Sequence, residues 1–323
     1  MRLIIYGAGG VGCVVGGHLA RAGHDVVLIG RSGHVKAINN HGLHLVTPSG
    51  TYILHIPAIT EPEQINYEAD DVVLLCMKGQ DTDEAIRNLR AVTEDIPIIC
   101  LQNGVRNEEI VTKYFPRVYG AMEWLYTVYL TDGEVCDSVD PSGWFIIGCY
   151  PEGTNELVEA VAAKLRTAGF FVKTTPDVMP YKWGKLVFNL ANPISAIINA
   201  KIDANDYIAS AIRQEAQEIL IQAGIHWVPV EEVKREWPEI AKPPRGSLEI
   251  KSHGSTWQSL ARRQGTVETE FINGEVVRLA NKLGIKAPIN ETLMRVSQEM
   301  AANHELPGKY THAQLSRLLG LNV

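Results

Sequence analysis

A glycine-rich turn near the amino terminus constrains the fold more than any other feature of the chain. Its residues are Gly7, Ala8, Gly9, Gly10, Val11 and Gly12. It follows the apolar run Arg2–Tyr6 and opens a segment of helical pattern at Gly10–Ala22. A strand that turns this tightly into a helix needs glycine, and the helix N-terminus directs N–H groups at an anion such as a pyrophosphate. This context predicts a dinucleotide-binding turn, and the alternative is a glycine-rich helix start that only packs closely on a sheet.

Short apolar runs alternate with helical patterns through the first half of the chain, which is typical of parallel strands joined by crossover helices. The predicted strands are Arg2–Tyr6, Asp25–Ile29, Val72–Met77, Pro97–Leu101, Phe145–Gly148 and Phe170–Thr174. A hairpin is predicted from Leu43–Val46 and Tyr52–Ile56, which flank a Pro-Ser-Gly turn. The predicted helices are Gly10–Ala22, Asp81–Leu89, Asn107–Lys113 and Asn155–Thr167.

The pattern becomes helical after residue 176. The predicted helices there are Tyr181–Asn199, Asn205–Ala223, Thr269–Leu283 and Glu291–Asn303. The proline-rich stretch 237–246 interrupts them and predicts a mobile loop. We therefore expect an α/β Rossmann-type dinucleotide-binding domain over residues 1–176, followed by an all-α domain over 177–323 that carries substrate and catalytic groups.

Composition narrows the class of protein. With 323 residues and 46% apolar content the chain can bury two cores. A net charge of -7 gives no cationic field for nucleic acid or acidic membranes. No signal-peptide pattern precedes the glycines, and no run approaches the roughly 18 apolar residues of a membrane span.

The cysteines and histidines bear on compartment and metal binding. Five widely spaced cysteines predict reduced thiols in a cytoplasmic protein. Neither the zinc nor the metalloprotease spacing occurs among the ten histidines, so we expect no metal site.

The end of the second predicted strand bears on the choice of cofactor. The strand runs into Gly30, Arg31 and Ser32, with a cation and a hydroxyl but no carboxylate. A cation at this place accepts the 2′-phosphate of NADPH, whereas an acid would hold the ribose hydroxyl of NADH. We expect NADPH, and the alternative is that Arg31 is a solvated loop residue.

Two polar residues follow neighbouring strands directly. Lys78 comes after Val72–Met77, and Asn103 closes the strand Pro97–Leu101. Ligands bind at the carboxyl ends of strands in open α/β sheets, so both residues are candidates for the site. Taken singly, each also fits an ordinary strand-end cation or turn asparagine.

The helical half supplies further candidates. Lys185 and Asn189 are four residues apart and share a helix face, and Asn192 lies seven beyond Lys185, close to that face. An inward-facing lysine with two asparagines would be costly without a polar site, although the stripe could also face water. Ser255 and Glu268 lie farther on, and Glu268 also fits a plain helix-start carboxylate.

These motifs, in this order, resemble the ketopantoate reductase (2-dehydropantoate 2-reductase) family, within the 6-phosphogluconate-dehydrogenase-like enzymes. The resemblance covers essentially the whole chain. It rests on the glycine turn with Arg31, Cys76-Met77-Lys78, Gln102-Asn103-Gly104 with Glu108, Trp183-Gly184-Lys185-Leu186 with Asn189, Asn192-Pro193, and Glu268 ahead of Asn273-Gly274.

The resemblance implies a role for each matching residue. Lys185 would be the general acid that protonates the carbonyl oxygen, with Glu268 beside the site orienting it and helping to bind substrate. Lys78 and Asn103 would lie at the edge shared by cofactor and substrate. Asn189, Asn192 and Ser255 would bind the hydroxyl and carboxylate of the substrate. The implied reaction is NADPH-dependent reduction of a small 2-oxo acid, ketopantoate to pantoate first, in pantothenate biosynthesis.

Three departures from the family pattern leave the substrate open. The spacing from Asn189 to Asn192 is one residue shorter, Gln258-Ser259 lacks the acid of the common Gln-Asp, and Met122–Tyr126 is bulkier than a threonine-rich segment. A reductase or opine-type dehydrogenase acting on another oxo acid or imine is therefore an alternative. A non-catalytic NADPH-binding regulator is another, although it would have no use for Lys185 and Glu268. A homodimer is compatible with the chain.

Overall fold

The computed structural model describes residues 1–203, 205–249 and 254–321. They fall into two units, Met1–Tyr181 with Glu231–Ile250, and Lys182–Val230 with Lys251–Val323. The chain thus returns to the first unit after Val230, which a single boundary after residue 176 does not foresee. That boundary stays a proposal for the functional domains.

The first unit is built on strands, one of which comes from the returning segment. In chain order the strands are β1 (Leu3–Tyr6), β2 (Val26–Ile29), β3 (Leu43–Thr47), β4 (Gly50–Leu54), β5 (Ala58–Ile59), β6 (Val72–Leu75), β7 (Ile98–Cys100), β8 (Val118–Leu125), β9 (Thr127–Val128), β10 (Glu134–Asp137), β11 (Val139–Asp140), β12 (Gly143–Cys149), β13 (Phe171–Thr174) and β14 (Gly246–Ser247). The main sheet has the order β13-β12-β8-β7-β6-β1-β2-β5 and is parallel except between β8 and β12. All residues of β1, β2 and β6 are buried, as expected for strands covered on both faces.

Fourteen α-helices lie within the described residues. They are α1 (Gly10–Arg21), α2 (Ser32–His41), α3 (Thr82–Arg90), α4 (Asn107–Val111), α5 (Glu156–Thr167), α6 (Met179–Asn189), α7 (Asn192–Ile198), α8 (Tyr207–Gln222), α9 (Val230–Glu236), α10 (Pro238–Ala241), α11 (Ser255–Ala261), α12 (Thr269–Leu283), α13 (Pro288–Ala302) and α14 (His312–Leu318). The predicted fold class, a Rossmann-type α/β domain followed by a helical domain, is confirmed. No helix among the described residues is both long and apolar enough to span a bilayer.

The prediction of one helix over Tyr181–Asn199 is wrong. The structure has two helices there, α6 and α7, separated after Asn189. Pro193, in the first turn of α7, lacks the N–H that would bond back into α6, and its ring disfavours a continuous helix. Asn192 is therefore the first residue of α7 and does not continue the face of α6 that carries Lys185.

The proline-rich stretch is also more regular than predicted. It contains α10 and β14, and β14 pairs antiparallel with β11. The Trp237 ring packs edge-to-face against Trp144 and Phe171, with ring centroids 6.1 and 6.3 Å apart. These long-range aromatic contacts hold the segment on the first unit, and local sequence does not reveal them.

A buried asparagine joins three helices of the second unit. Asn290, on α13, is fully buried and donates to the Ile212 carbonyl and to Glu215 on α8. Its Oδ1 accepts from Asn273 of α12, whose amide also donates to the Leu190 carbonyl after α6. The amide nitrogen of Asn273 thus joins α12 to a structural network.

We predict that Asn290→Ala lowers the free energy of unfolding by about 2–4 kcal/mol, because buried partners in one network lose their hydrogen bonds together. Urea denaturation measures the change. Asn281→Ala, at an exposed position on α12, is the matched control and should stay within about 0.5 kcal/mol. Equal effects of the two substitutions would show that the network adds no stability.

Candidate active site

In the glycine turn between β1 and α1, two glycines have no room for a side chain and a third borders open space. Gly7 has a φ of +108°, and a Cβ there would collide with the backbone of Met77. A Cβ on Gly12 would collide with the Gly7 carbonyl oxygen. Gly9, the N-cap of α1, has an extended backbone and no atom within 4 Å of the place its Cβ would take. The turn therefore requires glycine for packing at two positions and leaves open space beside the third, at the helix N-terminus.

The strand register brings polar residues to the same edge of the sheet as this turn. Tyr6, Leu75, Cys100 and Gly120 form one row of paired residues across β1, β6, β7 and β8. Three residues beyond that row in each chain segment stand Gly9, Lys78, Asn103 and Glu123. Lys78 and Asn103 thus lie at the edge where their sequence positions predict them. Glu123 was not predicted as a site residue, because the strand β8 was not predicted. The sequence marks it only as a single acid between Met122 and Trp124.

Buried side chains fix the loop that carries Asn103. Gln102 donates to the Thr82 hydroxyl at 2.8 Å, and that hydroxyl donates to Asn107 Oδ1 at 2.9 Å. The Asn107 amide in turn donates to the Asn103 carbonyl oxygen at 2.9 Å. Gln102 thus acts in positioning its neighbour, which accounts for its place in the motif. This series of hydrogen bonds also connects the loop to α3, which begins at Thr82.

Charged side chains meet near the ends of β2 and β6. Arg31 is exposed, and its guanidinium lies 3.6 Å from the Asp81 carboxylate. Burial raises the pKa of Asp81, while the positive charges of Arg31 and Lys78 act in the opposite direction. Arg31 and Lys78 therefore both interact with the Asp81 carboxylate. Because the Arg31 guanidinium is exposed, a phosphate could approach it.

In the second unit, close packing holds the helix that carries Lys185. A Cβ on Gly184 would collide with the Val228 carbonyl, so α6 lies directly against that segment. Lys185 is half-buried, and Asn189, four residues later on the same face, is buried. The alternative of a polar stripe in water does not fit Asn189.

The remaining predicted residues stand at helix starts. Ser255 is the first residue of α11 and is exposed. Glu268 is half-buried at the N-cap of α12, and its side chain makes no capping hydrogen bond with that helix. This position agrees with a helix-start carboxylate, and the role of Glu268 beside the substrate stays a prediction.

The described part of the chain contains neither a metal-ligand cluster nor a disulfide bond. No group of three or more His, Cys, Asp or Glu side chains is arranged there to hold a metal ion. All five cysteines are free thiols, and Cys13 and Cys100 are buried.

The two sides of the glycine turn predict different effects of alanine. Gly12→Ala should destabilise the fold by about 1–3 kcal/mol, because its methyl group meets backbone. Gly9→Ala should change stability by less than about 1 kcal/mol yet weaken NADPH binding at least about tenfold, because it fills the open side of the turn. Urea denaturation and fluorescence titration with NADPH measure the two effects. Unchanged NADPH affinity in Gly9→Ala would place the dinucleotide elsewhere.

Comparisons with known proteins identify the family of the chain. The family model described as ketopantoate reductase PanE/ApbA matches residues 3–152, and its C-terminal counterpart matches residues 177–301. The 2-dehydropantoate 2-reductase of Pyrococcus horikoshii is 32% identical, over 90% of this chain and 94% of its own length. A PanE/ApbA family ketopantoate reductase from Ralstonia eutropha superposes with a TM-score of 0.77 at 28% identity, covering 94% of this chain and 99% of its own. D-mandelate dehydrogenase, solved with NADH and anilino(oxo)acetate, shares the fold with a TM-score of 0.80 at 21% identity and the same coverage. The chain therefore belongs to the ketopantoate reductase family and is a pyridine-nucleotide-dependent oxidoreductase.

Proposed function

We propose that this enzyme uses NADPH to reduce a small 2-oxo acid to the 2-hydroxy acid, with ketopantoate to pantoate as the leading reaction. The observation that carries the proposal is the strand register, which aligns the glycine turn, Lys78 and Asn103 along one sheet edge. Relatives that match over nine-tenths of the chain bear the name of this reaction.

The residues of the first unit fit the cofactor. Gly7, Ala8, Gly9, Gly10, Val11 and Gly12 would hold the pyrophosphate, since the open side at Gly9 lies at a helix N-terminus. Arg31 would bind the 2′-phosphate, exchanging part of its interaction with Asp81 for the stronger anion. When bound, the reduced nicotinamide supplies the hydride.

The residues of the second unit would complete the chemistry. Lys185 would hold the proton that passes to the carbonyl oxygen of the substrate, and Glu268 would orient that lysine. Asn189, Asn192 and Ser255 would bind the hydroxyl and carboxylate of the substrate. In this scheme residues 1–176 carry the NADPH domain and 177–323 the substrate domain. The five free thiols favour the cytoplasm as its compartment.

A second candidate function is reduction of a bulkier 2-oxo acid with NADH. It is favoured by the shared fold with D-mandelate dehydrogenase, which was solved with NADH and anilino(oxo)acetate. A panel of 2-oxo acids assayed by NADPH and NADH absorbance, with ketopantoate and phenylglyoxylate included, separates the two candidates. Ketopantoate should be the better substrate and NADPH the better donor.

We predict that Lys185→Ala lowers kcat for ketopantoate by about 10²–10⁴-fold, because the carbonyl oxygen loses its proton donor. NADPH affinity, measured by fluorescence titration, should stay unchanged. Lys282→Ala, exposed on α12, serves as the control and should keep full activity. An unchanged turnover number in Lys185→Ala would remove this lysine from the mechanism.

We predict that Arg31→Ala lowers kcat/KM for NADPH by about 10–100-fold, the worth of a hydrogen bond to a charged group, and leaves kcat/KM for NADH nearly as it was. Arg21→Ala, an exposed arginine at the other end of α1, is the matched control. Steady-state rates with both dinucleotides decide the matter. An unaltered preference in Arg31→Ala would show that this arginine is only a solvated loop cation.

A further inference from the structure

A polar cavity lies in the first unit, at the end of α1 remote from the glycine turn. Its volume is about 530 Å³, which is in the range of sites for small organic molecules. It is bordered by the last residues of α1 and α5, by the turn between β3 and β4, by β11 and by Arg245. Since α1 has 12 residues, its two ends are about 18 Å apart, so the cavity is separate from the cofactor turn.

A buried serine at this cavity has a hydroxyl proton to donate. Ser142 lines the cavity, and 7% of its surface is exposed. His18 Nε2 lies 2.8 Å from Asp137 Oδ2 and 3.0 Å from Ser142 Oγ. A ring nitrogen has one proton or one lone pair, and the shorter contact with Asp137 occupies it. The Ser142 hydroxyl can therefore donate its hydrogen to a bound molecule.

Two arginines also border the cavity, and they differ in how their charge is balanced. Arg245 forms an ion pair with Asp140 at 2.9 Å. Arg21 is exposed, and its guanidinium carbon lies 3.8 Å from the centre of the Tyr52 ring. A guanidinium that packs on an aromatic ring keeps its N–H groups for hydrogen bonds, and its planar fork matches a carboxylate. Arg21 is thus the group that favours an anion in the cavity.

The turn between β3 and β4 presents hydrogen-bond acceptors to the cavity. Thr47 donates its hydroxyl proton to the Gly50 carbonyl at 3.0 Å, so Ser49 must donate in its 2.9 Å contact with Thr47. Tyr52 in turn donates in its 3.1 Å contact with Ser49. The three hydroxyl protons are used within the turn, and the Tyr52 oxygen keeps lone pairs that can accept. A hydroxyl group on a ligand fits this wall, because it can donate to that oxygen.

The helix ends at the cavity favour the same kind of group. Ala22, directly after α1, lines the cavity together with Thr167, the last residue of α5. A helix C-terminus carries partial negative charge, so these ends repel a second anionic group and attract hydroxyl protons. The cavity therefore suits a ligand with one carboxylate and several hydroxyl groups.

We propose that this cavity is a second binding site, separate from the active site, for a small monocarboxylic acid that carries several hydroxyl groups. The carboxylate accepts hydrogen bonds from Arg21 and Ser142, and a hydroxyl group donates to Tyr52. The inference does not depend on the proposed function, because none of these residues belongs to the proposed catalytic or cofactor-binding groups.

Saturation-transfer NMR with shikimate tests this site. Shikimate has one carboxylate and three hydroxyl groups, but none beside the carboxylate, so it does not imitate the product of a 2-oxo acid reductase. With NADP⁺ at saturation, its Kd should be about 1 mM. Methyl shikimate lacks the anion and 1-cyclohexene-1-carboxylate lacks the hydroxyl groups, and each should bind at least about tenfold more weakly.

Variants assign the binding to the cavity. Arg21→Ala should weaken shikimate binding at least about tenfold, and Ser142→Ala about threefold to tenfold. Arg317→Ala, which also removes an exposed arginine from the last turn of a helix, is the matched control and should keep the wild-type Kd. Fluorescence titration with NADPH checks that each variant is folded. If Ser142→Ala does not fold, Arg21→Ala decides alone.

Undetectable binding of shikimate, or a Kd that Arg21→Ala leaves unchanged, would overturn the proposal. Shikimate 3-phosphate adds a dianionic group and should bind more weakly than shikimate, because the helix ends disfavour it. Tighter binding of the phosphate would overturn the assignment to a monocarboxylic acid.

Discussion

The site depends on how closely the chain can approach itself where β1 turns into α1. Gly7 lies against the backbone of Met77, and Gly12 lies against the carbonyl of Gly7, so neither position has room for a side chain. This contact sets the start of α1 directly above the ends of β1 and β6. The helix N-terminus, the open side of Gly9 and the polar residues beyond β6 and β7 consequently face the same region. A bulkier turn would move the helix and separate these groups.

Much of the fold could be predicted because β1, β2, β6 and β7 are short apolar runs buried on both faces. The strand β8 could not be predicted. Its sequence mixes glycine, alanine and an acid with aromatic residues, and it shows neither alternation nor a continuous apolar run. It is held as a strand by pairing with β7 and β12. Its omission also hid Glu123, a buried acid within β8.

In the helical unit, hydrophobic period predicted α12 to the residue but failed at the junction of α6 and α7. The period continues across Asn189 and Asn192, whereas the backbone is interrupted by Pro193. The Leu190 carbonyl in the interruption accepts from Asn273, a residue distant in sequence. Lys78, Asn103, Lys185 and Glu268 could be named from motifs, but which neighbours hold them depends on such tertiary contacts. The hydrogen bonds that Gln102 donates to Thr82 and that Asn273 donates to Leu190 and Asn290 are examples of such contacts.

In the proposed function, the dinucleotide held at the glycine turn delivers hydride to the carbonyl carbon of a 2-oxo acid. The most direct measurement follows NADPH deuterated at both C4 positions of the nicotinamide through one reaction with ketopantoate, with the product examined by NMR. The proposed function predicts pantoate with one deuterium on C2, the carbon that carried the carbonyl. Product with hydrogen at C2, or oxidation of NADPH without formation of pantoate, would contradict hydride transfer at this site.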